Sequence, residues 1–139
     1  MRKTKGDLVR GWLEKARRDL VTAERELASA DCFADIICFH AQQAAEKYLK
    51  AYLIWYDITF PRTHALEDLV LLAAQHDLDC LKLKDLVIAL TPYAVETRYP
   101  EFEEPLLEDA QQATEIAHQV QSLVLQKLPE EAKGGVCEE

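Results

Sequence analysis

Glycine is scarce in this chain, with four among 139 residues, and that scarcity removes a class of chemistry at the outset. Loops that cradle phosphate on backbone N–H groups need glycines at fixed offsets, and no G-x-x-x-x-G-K-[ST], G-x-G-x-x-G or G-x-S-x-G pattern is present. Cys32, Cys38, Cys80 and Cys137 form no C-x-x-C pair, so they read as reduced structural thiols rather than as a disulfide framework or a zinc knuckle. His40, His64, His76 and His118 lie on separate segments without H-E-x-x-H spacing, and Cys38-x-His40 on a helix would point its two side chains about 200° apart. No metal ligand set is expected. Apolar runs approaching the ~20 residues of a bilayer span are also missing, and the start Arg2-Lys3-Thr4-Lys5 does not lead into a signal-peptide segment. The expectation is a cytoplasmic protein with no membrane contact and no cofactor.

What the chain does have is amphipathic periodicity. Val9, Trp12, Leu13, Ala16, Leu20, Ala23 and Leu27 recur at spacings of three and four and predict a helix from Lys5 to Ala30, with Thr4 as its N-cap and Asp7 at the third position. A second helix, capped by Asp31 and running to Tyr56, carries Phe33, Ile37, Ala41, Ala44, Ala45, Tyr48 and Tyr52 on one broad face. Ile36, Leu53 and Ile54 fall outside that stripe, which suggests a second buried contact such as a dimer interface. Pro61 marks residues 57–63 as a loop. A short helix is expected over Ala65–Ala74, a connection over Gln75–Cys80, and another short helix through Leu83, Leu86, Val87 and Leu90 that ends near Pro92. Residues 91–105 read as a long ordered loop, and Leu106–Leu128 as the last helix, stopped by Pro129. No segment alternates like a strand, so the fold expected is an all-α antiparallel bundle of four to five helices over residues 1–128, followed by a flexible acidic tail, 129–139.

Charge is segregated along the chain. Residues 1–100 carry 14 Lys/Arg against 15 Asp/Glu, while residues 101–139 carry 2 against 10. An acidic C-terminal third disfavours a phosphate backbone, whereas Arg10, Lys15, Arg17, Arg18 and Arg25 keep the first helix locally basic.

Three candidate sites follow from side-chain type and spacing. On the second helix, His40, Gln43, Lys47 and Lys50 return within roughly 80° of one another and form a polar ridge able to hold phosphate or an acidic partner by charge-assisted hydrogen bonds. The competing reading is a solvated edge with His40 at the core boundary. Arg62 and His64 bracket Thr63 before the third helix, where free N–H groups favour an anion, although Thr63 or His64 acting only as a cap is the simpler role. Tyr93, Arg98 and Tyr99 share the long loop, where a guanidinium beside aromatics can stack on a base or clamp a carboxylate, while an internal salt bridge from Arg98 to an acid is the plainer outcome.

Phe39-His40-Ala41-Gln42-Gln43-Ala44-Ala45-Glu46-Lys47-Tyr48-Leu49-Lys50-Ala51, then Thr63-His64-Ala65-Leu66, then Thr97-Arg98-Tyr99-Pro100, resembles the HEPN domain family in wording and order, over about residues 5–128. The resemblance implies a helical bundle that commonly dimerises. It also implies kinship with the helical domain of aminoglycoside nucleotidyltransferases, hence nucleotide binding, and a minimal nucleotidyltransferase partner in a toxin–antitoxin type pair. Many members look like metal-independent ribonucleases that use an Arg followed four to six residues later by a His. This chain departs from that pattern, because Tyr99, Pro100, Glu101, Phe102, Glu103, Glu104 and Pro105 follow Arg98. The sequence therefore favours a homodimeric nucleotide-binding or nucleotidyltransferase-partner module with little or no catalysis. The alternatives are a ribonuclease toxin, in which His40 or His64 replaces the missing histidine to act on RNA, and a purely structural dimeric interaction domain.

Overall fold

A computed structural model describes residues 2–134. Six α-helices, α1 (Lys5–Leu27), α2 (Ala34–Trp55), α3 (Leu66–His76), α4 (Lys84–Val87), α5 (Leu107–Lys127) and α6 (Glu130–Lys133), are joined by 3-10 turns at Leu78–Leu83, Thr91–Ala94 and Glu96–Arg98. No strand occurs among the described residues, and the all-α bundle stands. Among those residues no helix is long and apolar enough to cross a membrane.

Helix α1 starts where its sequence places it. Thr4 accepts from the Asp7 N–H at 3.1 Å while Asp7 accepts from the Thr4 N–H at 3.1 Å, a reciprocal capping box. Its buried stripe of Val9, Leu13, Ala16, Leu20 and Ala23 packs on α2. Helix α2 is the hub, covered by α1, α3 and α5, and its alanines at 41, 44, 45 and 51 are fully buried because they let neighbouring backbones approach closely. Contacts fix the directions. Lys5 Nζ reaches the Trp55 carbonyl at 2.9 Å and Glu26 accepts from the Phe33 N–H at 2.8 Å, so α1 and α2 are antiparallel. Gln121 donates to the Tyr48 hydroxyl at 2.8 Å and the Tyr56 hydroxyl donates to the Lys127 carbonyl, so α2 and α5 run parallel. The segment between them must carry the chain back along the bundle, and α3, α4 and the 3-10 turns are that return path.

Several expected boundaries move. Helix α1 ends at Leu27 and α2 begins at Ala34, without a cap from Asp31. The Glu26 carboxylate takes the Phe33 N–H instead, a tertiary cap that local spacing does not announce. Helix α3 runs on to His76, and the helix expected through Leu90 is a 3-10 turn followed by the single α-turn α4. Leu53 is buried and Ile54 packs against the core, so only Ile36, 41% exposed, is left of the side chains expected to need a second partner. Glu130 to Lys133, expected as the start of a flexible tail, is the helical turn α6, with Ala132 buried and Arg10 donating to the Glu131 carbonyl at 3.0 Å. Gly134 closes that turn in the left-handed region at φ 56°, where a Cβ would collide with the Arg10 Cδ. Cys137 and the end of the expected tail lie outside the described residues.

The core is continuous from α1 through α2 to α5, and Leu13 is completely buried in it. Leu13→Ala should lower the unfolding free energy by about 3 kcal/mol in urea denaturation, because the vacated volume is walled by helices that cannot collapse into it. A loss under about 1 kcal/mol would mean that the α1–α2 contact is loosely packed.

Candidate functional site

The ridge on α2 is built around two carboxylates. Asp19 lies three residues after Ala16 and four before Ala23, at the margin of the buried stripe of α1, and its side chain is only 15% exposed. One oxygen accepts from His40 Nδ1 at 2.9 Å, and the other pairs with Lys47 Nζ. Glu46, with a side chain 7% exposed, does the same on the other flank. It accepts from His64 Nδ1 at 2.8 Å, from Lys50 Nζ at 2.9 Å and from the buried Gln42 amide at 3.0 Å. Gln43 donates to Gln42 Oε1 at 2.6 Å and so joins the same network.

These pairings decide the electrostatics. Burial pushes the Asp19 carboxyl up, but the hydrogen bonds from His40 and Lys47 outweigh it and the group sits below the usual aspartate range. Glu46 is likewise lowered, burial being overcome by His64, Lys50 and Gln42. Both acids are held ionised, and each is shared by an amine and an imidazole. Lys50 is further flanked by aromatic rings, with Nζ 5.8 Å from the Trp12 centroid and 6.0 Å from that of Phe60. The alternative of freely solvated lysines is thereby set aside, since neither amine swings free in water.

His64 belongs to this network. It does not cap α3, because Thr63 accepts from the Ala65 N–H at 3.0 Å and the Thr91 hydroxyl accepts from the Leu66 N–H at 3.1 Å while donating to Glu67 at 2.9 Å. Arg62 is exposed and has no acidic partner among the described residues. The loop residues divide. Arg98 donates through Nε and Nη2 to the Ala94 carbonyl at 3.0 and 2.7 Å, with no carboxylate involved, and its guanidinium lies 5.1 Å from the Phe39 ring centroid. The far side of that link is His40, edge-on to Phe39 at 5.4 Å. Tyr99 is exposed beside Arg98. Tyr93 is half-buried against the core beside the Cys38 thiol. Burial pushes its hydroxyl up to about 12 and the Cys38 thiol up to about 12, so this pair is held neutral.

His40, Gln43, Lys47, Lys50 and His64 are thus brought together, with Arg98 reaching their margin through Phe39, whereas Arg62, Tyr93 and Tyr99 are not drawn into the network. Asp19, Gln42 and Glu46 are site residues that the sequence reading misses. Asp19 has a signal, its place beside the apolar stripe of α1, and Glu46 stands inside the motif on α2. A cleft of about 480 Å3 lies elsewhere, lined by Lys82, Glu115, His118 and Ser122 among others, and shares no residue with the ridge. Its Glu115 and His118 form an E-x-x-H spacing that the sequence reading passes over, but His118 Nε2 pairs with Glu24 at 3.1 Å and no group of three metal-ligating side chains gathers among the described residues.

A carboxylate held below its ordinary range contributes stability that is complete above about pH 4 and is lost as pH falls through the folded-state value. The melting temperature should therefore fall as pH drops below about 4, and the Asp19→Asn, Glu46→Gln double variant should show a shallower fall from a lower starting value. Parallel pH profiles for the two proteins would show that these carboxylates carry none of the acid sensitivity.

The HEPN domain family matches residues 9–128. A protein of known structure, TT1696 from Thermus thermophilus, is 31% identical with a TM-score of 0.74, over 86% of this chain and 98% of that one. ST0689, an archaeal HEPN homologue, superposes with a TM-score of 0.68 at 24% identity over 86% of this chain and 96% of its own, which speaks to the fold alone. Among curated proteins nothing matches the chain. With most of its length matched and its three sequence blocks lying within the matched region, the chain belongs to the HEPN domain family.

Proposed function

We propose that the chain is a nucleotide-binding or nucleotidyltransferase-partner module, acting as a homodimer in a toxin–antitoxin type pair and performing little or no catalysis of its own. The observation that carries this reading is the gathering of His40, Gln43, Lys47, Lys50 and His64 on one edge of α2, with Arg98 joined to it through Phe39. Each lysine spends one donor on its carboxylate and keeps others for an incoming phosphate oxygen. Arg98 Nη1 has no protein acceptor among the described residues, and the exposed Tyr99 beside it offers a ring for a base.

The opposite chemistry marks the end of the bundle where α2 and α5 begin. Phe33, Ile36, Val95, Phe102, Leu106 and Leu107 are all exposed there. Large apolar side chains crowded at one end support burial against a second copy of the chain or against a protein partner. The cleft beside them, about 350 Å3, is lined by Glu96, Glu103, Glu104 and Asp109 and is unsuited to phosphate. Arg98 and Tyr99 lie between Val95 and Phe102 in the chain, so the arginine-bearing margin of the ridge borders this apolar end.

Lys47→Gln with Arg98→Gln should weaken binding of adenosine monophosphate, followed by titration calorimetry, at least about tenfold, while far-ultraviolet circular dichroism stays unchanged. Equal affinity in the folded double variant would remove the ridge from the proposal.

A second reading, RNA cleavage, is favoured by one specific feature. Asp19 and Glu46 fix Nδ1 of His40 and His64, which leaves each Nε2 able to take a proton from a 2′-hydroxyl, the service the missing motif histidine would have rendered. On that reading, expressing the chain alone should fragment cellular RNA, and His40→Ala with His64→Ala should leave the RNA intact. Undegraded RNA with the unaltered chain argues for the binding module.

A further inference from the structure

We infer that a second copy of the chain seats its Leu106 and Leu107, with the glutamates on either side of them, in an apolar slot on the outer face of α1. The inference rests on the homodimer of the reading above and deepens it by naming the two surfaces that meet.

The slot has a volume of about 270 Å3 and is lined by Lys3, Asp7, Leu8, Gly11, Trp12 and Lys15. Leu8 is 44% exposed, and Trp12 packs against the core yet is only partly buried. Gly11 gives the slot its depth, because a Cβ there would meet no neighbouring atom within 4 Å. Glycine weakens a helix interior relative to alanine, so the packing of α1 alone does not call for it at this position. The rim is basic. Lys3 and Lys15 are exposed and have no carboxylate partner among the described residues, whereas the charge of Asp7 is already taken up by the Thr4 N–H and Arg10.

The chain itself carries the complement. Leu106 is 63% exposed and Leu107 is 49% exposed. Glu103, Glu104 and Glu108 beside them are exposed and have no cationic partner among the described residues. Apolar side chains flanked by carboxylates match an apolar floor flanked by ammonium groups, both in pattern and in sign. Two copies meeting through the acidic segment alone would set like charges against each other, which disfavours that arrangement. Nor can the segment fold back onto its own slot. Glu24 near the end of α1 meets His118 within α5, which places Gly11 and Leu107 roughly 35 Å apart along the bundle at about 1.5 Å per helical residue. The contact is therefore made between copies. Because slot and segment lie toward opposite ends, two copies laid antiparallel make it twice about a two-fold axis and close a dimer.

Sedimentation equilibrium of the full chain tests the pairing. The unaltered protein should form a dimer at micromolar concentration. Gly11→Leu fills the slot without changing charge, and Lys3→Glu with Lys15→Glu reverses its rim. Each should raise the dimer dissociation constant at least about tenfold while far-ultraviolet circular dichroism stays unchanged. Glu103→Lys with Glu104→Lys should do the same, and an equimolar mixture of the two charge-reversed proteins should dimerise again, since each reversed surface then finds its match. A dimer that withstands both slot variants would overturn the inference and leave the homodimer standing on another surface. A chain that stays monomeric at every concentration would overturn both.

Discussion

Two carboxylates, Asp19 and Glu46, sit at the seams where α2 meets α1 and where α2 meets the loop before α3. A buried charge without partners costs several kcal/mol, so each seam holds only if the carboxylate is ringed by donors. Asp19 obtains them from His40 and Lys47, and Glu46 from His64, Lys50 and Gln42. The contacts that lock the helices together are therefore the same contacts that orient the candidate ligand-binding groups. Site and scaffold are not separable here, and a substitution that removes a carboxylate acts on both.

That dependence explains what the sequence can and cannot reveal. Helices α1, α2 and α5 are legible because their buried positions recur at spacings of three and four, and the Thr4–Asp7 box is legible because it is local. The polar edge of α2 is legible for the same reason, since His40, Gln43, Lys47 and Lys50 share one helix. Asp19 and Glu46 do not stand out as its anchors because pairing across helices depends on which face is buried, and a single chain of letters shows that only indirectly. The 91–105 stretch reads as ordered, yet its two 3-10 turns do not show in the letters. Their hydrogen bonds are short-range and tolerant of sequence, and Arg98 caps one of them through the Ala94 carbonyl rather than through an acid. The last turn escapes for a different reason, as Ala132 becomes apolar core only once Arg10 is in place to hold Glu131.

The missing histidine after Arg98 bears on chemistry more than on fold. A guanidinium that spends two donors on a backbone carbonyl and rests on Phe39 is a fixed positive edge, suited to recognition. The imidazoles of the ridge belong to different elements and to different carboxylates. The family fold is thus retained while the two imidazoles are held apart, one on α2 and one on the loop that follows it.

Because α2 and α5 run parallel, the two long elements that flank the start of α1 arrive there together. Lys5 touches the last residue of α2, and the turn closed by Gly134 rests on Arg10. Residues 5 and 134 consequently lie at one pole of the molecule, and the acidic cleft beside Leu106 lies at the other. A label or tether attached near either residue would hold the protein by that pole and leave the starts of α2 and α5 uncovered.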